Sequence, residues 1–169
     1  MDKKISNNSA KANDPHNKYN EKKTLDPKLK SIIDNIKYYD ETKNVEVDLF
    51  SKQADEIVSE LAKNEYNKNN KNVKNSITQL RRFYNDIQIV KSKIDNSNDP
   101  EEEFHKELPY IKMLAAKANY AYEREHITSF LNEFIKHNVL DLVNSYQDFA
   151  IFCTFFESII AYATGRLKK

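Results

Sequence analysis

Apolar residues recur along this chain at spacings of three and four, the signature of amphipathic helices. Leu29, Ile32, Ile33 and Ile36 form one such stripe. It predicts a helix over Leu25 to Tyr39, with Asp26 as cap and Pro27 in the first turn. Leu49, Phe50, Ile57, Val58 and Leu61 predict a second helix over Leu49 to Glu65. Ser76 and Gln79 have capping-box spacing and open a third, Ile77 to Ile94, with Leu80, Phe83, Tyr84, Ile87 and Ile94 inward. The fourth spans Pro100 to Arg124, with a break expected near Pro109 because an internal proline removes a helical hydrogen bond. Thr128 to Val143 is the fifth. Ser145 and Asp148 cap the sixth, Tyr146 to Leu167, whose inner stripe is Phe149, Phe152, Cys153, Phe156, Ile160 and Ala163. Ile151, Phe155 and Tyr162 lie on another side of that helix. Its apolar arc is therefore too wide for a one-sided surface helix. Either it is central in the bundle or those three residues meet another subunit.

Met1 to Thr24 is polar and rich in Lys and Asn, so a disordered tail is expected there. Tyr66 to Lys71 reads as a linker or loop. The fold expected is all-α: a bundle of five to six helices over residues 25–169. Composition agrees. Gly165 is the only glycine among 169 residues, whereas β-rich proteins need glycine for tight turns. The same fact excludes glycine-rich phosphate loops, dinucleotide fingerprints and nucleophile elbows. One cysteine, Cys153, excludes an internal disulfide and any cysteine-rich zinc site. No apolar run reaches the ~18 residues of a membrane span, no signal peptide is read at the start, and the expected compartment is the cytoplasm.

Charge is balanced in total, 27 Lys and Arg against 26 Asp and Glu, for a net charge of +1. It is sorted locally. Val73 to Lys93 holds Lys74, Arg81, Arg82, Lys91 and Lys93 against Asp86 alone, and the acids of Asp95 to Glu107 follow. Nucleic-acid binding, if present, must then come from patterning rather than bulk charge.

The candidate chemistry narrows quickly. His105, His126 and His137 have no metal-ligand spacing, and Glu101, Glu102 and Glu103 suit a helix start, where acids favour the dipole. Cys153 lies on an apolar stripe and reads as a buried structural thiol. No nucleophile–base pair is evident, so no catalytic residue, metal or cofactor is expected. The basic positions carry more. Arg81 and Arg82 adjoin Phe83 and Tyr84 one turn inside a capped helix, with Lys74 on the Arg81 side. Lys117 and Arg124 fall on the side of their helix that bears Tyr110, Met113 and Tyr120. A guanidinium offers a planar fork to phosphate, and tyrosines beside cations suit RNA.

Three blocks carry a resemblance: TQLRRFYNDI (Thr78 to Ile87), LPYIKMLAAKANYAYERE (Leu108 to Glu125) and SYQDFAIFCTFFESIIAYA (Ser145 to Ala163). In order and spacing they are similar to the small subunit of type III-A CRISPR effector complexes, the Csm complex, over roughly residues 75–163. Glu123 stands where that family often has glycine before Arg124, and Ser158 where alanine follows the glutamate. The resemblance implies a non-catalytic helical bundle. It implies several copies stacked beside the backbone subunits, lining the channel that holds the guide RNA–target RNA duplex and joining the large subunit. Neither membrane nor small-molecule substrate is implied. Arg81 and Arg124 match family motif positions; Arg82, Lys112 and Lys117 match basic positions. The reading that follows is sequence-independent binding of RNA backbone, in antiviral defence, by Lys74, Arg81, Arg82, Lys112, Lys117 and Arg124. A helical protein–protein adaptor without RNA contact is the alternative.

Overall fold

The computed structural model describes residues 25–63 and 74–168. The tail expected over residues 1–24 and the linker expected over 66–71 lie outside them. Among the described residues there are six α-helices and no strand: α1 (Pro27–Asp34), α2 (Ala54–Leu61), α3 (Ile77–Asp95), α4 (Pro100–Glu123), α5 (Ser129–Lys136) and α6 (Tyr146–Ala163). Buried side chains from all six form one core.

The helix starts follow local chemistry. Asp26 accepts from the Lys28 N–H, Ser76 from Gln79, Asp99 from Glu102 and Thr128 from Leu131, so each helix begins with an orphan N–H satisfied. Ser145 and Asp148 form the reciprocal box expected of them. The helix ends differ more. α1 stops at Asp34, and Ile36 and Tyr38 are then buried from an irregular segment rather than a helix. Tyr39 pairs with Val45 in a short antiparallel bridge. α2 is preceded by a π-helical turn, Leu49–Gln53, and α5 is followed by another, His137–Leu142. The second is anchored by Asn138, which donates to the Phe134 carbonyl (2.8 Å) and accepts from the buried Tyr38 hydroxyl (2.7 Å).

The break expected at Pro109 is not there: α4 runs through it for 24 residues. Pro109 is exposed, so its missing N–H costs one helical bond at a solvated position. Phe104, Glu107, Ile111 and Leu114 bury on the other side and hold the axis across it. α6 ends at Ala163, short of Leu167, because Gly165 turns into left-handed backbone (φ 87°). The last residues then form a strap. Leu167 buries, Arg166 reaches Asp55 and Ser59 on α2, and the Lys168 carbonyl accepts from the Ile77 N–H at the start of α3.

Of the two roles left open for α6, the central one holds. Phe155 is 0% exposed and Ile151 6%, so both are core residues and present no surface to a second copy; Tyr162, at 40%, stays outside. Phe155 and Phe156 pack on Phe134 with centroids 5.8 and 6.4 Å apart, in the tilted and edge-on geometries that aromatic pairs favour.

Burial also sets an alkaline limit. It pushes the Cys153 thiol from an ordinary 9.0 up to about 12, and raises Tyr38 well above the usual tyrosine range. Both shifts are upward, so the stability they confer is complete below pH ~9 and is lost as pH rises through the folded values, because the unfolded chain releases these protons first. The urea midpoint is expected to stay level from pH 7 to about 8.5 and to fall steadily above 9. A level midpoint up to pH ~11 would show that these groups are not buried.

Candidate nucleic-acid interface

α3 and α4 form an antiparallel hairpin, and two cross-helix ion pairs mark its register. Asp86 meets Lys117 at 2.8 Å, and Lys93 meets Glu107, with Glu103 3.8 Å away. At ~100° per residue, Arg82, Asp86, Ile89 and Lys93 line the α3 edge of this seam, and Tyr110, Met113, Lys117, Tyr120 and Arg124 the α4 edge. Four large apolar or aromatic side chains stand out from it: Ile89 (69% exposed), Tyr110, Met113 and Tyr120 (64%).

The two halves of the seam differ in charge. Toward the start of α3, Arg81 and Arg82 are exposed and have no hydrogen-bond or ion-pair partner among the described residues. Arg124, the C-cap residue of α4, donates from Nη1 to the Tyr120 hydroxyl (3.1 Å), with its guanidinium carbon 5.6 Å from that ring's centroid. A cation resting on an exposed aromatic face keeps both groups available to a ligand. Glu123, exposed beside Arg124, forms no ion pair with it, so this departure from the family pattern does not neutralise the arginine. Further along, each cation is matched: Lys117 by Asp86, Lys93 by Glu107, Lys106 by Glu102. With Glu103 beside Lys93 and Lys106, that half sets four acids against three cations, and it carries Ile89, Tyr110 and Met113.

The structure thus brings Arg81, Arg82 and Arg124 to one end of one hairpin. Lys74 lies half-buried at the same end, just before α3. Lys117 shares the face but is already paired. Lys112 is elsewhere: it points to the opposite side of α4, and its ammonium donates to the carbonyls of Leu140 and Val143 at 3.1 Å each. It closes the π-helical turn, a structural task the sequence pattern did not reveal. Ile89 was overlooked because, read alone, one isoleucine on a polar helix face is unremarkable. Among the described residues no group of three or more His, Cys, Asp or Glu could hold a metal ion, and no helix is long and apolar enough to cross a membrane.

The fold and this face define an all-α bundle whose candidate chemistry lies on an exposed helix pair. Residues 44–165, well over half of the chain, match the family Csm2 Type III-A, and the chain belongs to it. It is a small subunit of the type III-A CRISPR complex. The match reaches further toward the N-terminus than the three sequence blocks, taking in the first π-helical turn and α2. Neither the curated proteins nor the solved structures contain a match to the chain.

Proposed function

We propose that this subunit is non-catalytic and lies, in several copies, along the channel holding the guide RNA–target RNA duplex, where it binds RNA backbone without reading sequence. The observation that carries this is the cluster at one end of the α3–α4 hairpin. Arg81 and Arg82 are exposed and unpaired among the described residues, and Arg124 rests on the exposed Tyr120 ring. Guanidinium forks match phosphate geometry, and an exposed ring beside them accepts a base or sugar face. Pairing with the guide supplies the specificity, so a few backbone contacts on each copy suffice. The other half of the seam, with Ile89, Tyr110 and Met113, suits protein contact within the complex. Its ion pairs leave no excess positive charge to attract phosphate.

Titration of the purified chain with short RNA duplexes of unrelated sequence tests the proposal. Equal affinities are expected, with the logarithm of the binding constant falling linearly against the logarithm of salt. Binding to one sequence alone, or binding indifferent to salt, would contradict it. A protein adaptor that avoids RNA would show no retardation at low salt.

A further inference from the structure

The arginines of the proposed site sit on two helices of the hairpin, and one buried asparagine pins the ends that carry them. Asn75, immediately before the α3 cap, is 2% exposed and adopts left-handed backbone (φ 55°). Its own N–H donates to the His126 carbonyl at 3.1 Å. Its side-chain Oδ1 accepts from the Thr128 N–H at 2.8 Å, and its Nδ2 donates to the Thr128 hydroxyl at 3.0 Å. Thr128 in turn caps α5, its hydroxyl accepting from the Leu131 N–H. Opposite Asn75, Glu125 is also left-handed (φ 58°) and reverses the chain just after Arg124. Through its backbone N–H and its carboxamide together, Asn75 therefore ties the start of α3 to the turn between α4 and α5.

The residue type fits the task. Asparagine tolerates left-handed backbone better than most side chains. It also carries a donor and an acceptor on one planar group, as the two bonds to Thr128 require. Buried at this depth, neither half of the amide can turn to water instead.

We infer that Asn75 is a positioning residue for the RNA interface: it sets the spacing between Arg81 and Arg82 on α3 and Arg124 on α4, and so their match to neighbouring phosphates. This rests on the RNA-binding reading above. Arginines on independent helices engage phosphates together only if their separation is fixed before binding, since ordering them afterwards consumes binding energy. With the amide removed, α3 and α4 still pack through their core faces and the residue 75 N–H still reaches His126, but the turn that follows Arg124 loses its anchor at Thr128 and can shift.

The test uses the full chain and a short RNA duplex, measuring affinity and its salt dependence for a set of variants. Asn75→Gly keeps the left-handed backbone and removes the amide. It is expected to weaken binding about fivefold and to flatten the salt slope, because fewer phosphates are engaged at once. Asn75→Asp can accept from both the Thr128 N–H and its hydroxyl, and is expected to bind within about twofold of wild type. In an Arg124→Ala background, Asn75→Gly is expected to cost little more, because the pair whose spacing it sets is already broken. Should Asn75→Gly not fold, Asn75→Ser takes its place, with a smaller loss of the same sign. Wild-type affinity and slope in Asn75→Gly, alongside lost binding in Arg81→Ala/Arg82→Ala/Arg124→Ala, would overturn the positioning role and leave the RNA reading intact. Equal losses from Asn75→Gly with and without Arg124 would also overturn it. Full binding by the triple variant would remove the RNA reading itself.

Discussion

Replacing Arg81, Arg82 and Arg124 together by alanine is expected to weaken retention of target RNA by the assembled complex at moderate salt, without loss of helix content. Charge-assisted hydrogen bonds contribute about 1.5–3 kcal/mol when well made, and exposed ones fall at or below the low end of that range. Three such contacts then amount to roughly 3 kcal/mol for each copy, about a hundredfold in that copy's share of binding. With several copies along one duplex, as proposed above, the losses compound. Base pairing remains, so the defect is expected to sharpen for mismatched targets and as salt rises. Lys112→Ala and Lys117→Ala serve as controls. Lys112 donates to two carbonyls in its own fold, and Lys117 is paired with Asp86. Neither change should move RNA retention by more than about twofold, although Lys112→Ala should lower stability slightly. Retention by the triple variant equal to wild type would contradict the assignment.

The largest effect on folding is expected from Phe156→Ala. Phe156 is fully buried at the centre of α6, with its ring 5.9 Å from Phe152 and 6.4 Å from Phe134. It thus joins α6 to α5. Truncation removes transfer free energy and leaves a cavity that the two neighbouring rings, Phe134 and Phe152, are too rigid to fill. A loss of about 3–5 kcal/mol follows. That is a large share of the roughly 5–15 kcal/mol that holds a typical domain together. Urea unfolding followed by circular dichroism measures it. A loss below about 1.5 kcal/mol would mean that the site collapses around the smaller side chain.

The all-α architecture was legible because α1, α3 and α6 announce themselves twice, by apolar period and by cap. Asp26, Ser76 and Ser145 cap where their spacing places them. Local patterns could not see what depends on register between helices. Lys117 pairs with Asp86, and Lys112 with two carbonyls of the 137–143 turn, so two expected RNA-binding cations have partners within the fold. The π-helical turns were hidden for a different reason. Over five or six residues their period differs too little from 3.6 to show in apolar spacing. Pro109 misled because its cost is local, while the burial that outweighs it comes from neighbouring elements. At the basic end, the arginines were evident from residue type, but Asn75 was not. Its only local sign is that asparagine tolerates left-handed backbone, and that does not identify Thr128 as its partner.

The most direct test of the RNA assignment is photocrosslinking of 4-thiouridine-substituted target RNA to the assembled complex, with the crosslinked peptides identified by mass spectrometry. Crosslinks from this subunit are predicted to fall within residues 78–89 and 113–125, around Arg81, Arg82, Tyr120 and Arg124, and to fade in the triple variant. Crosslinks confined to the 137–163 region, or none from this subunit while the backbone subunits crosslink, would contradict it.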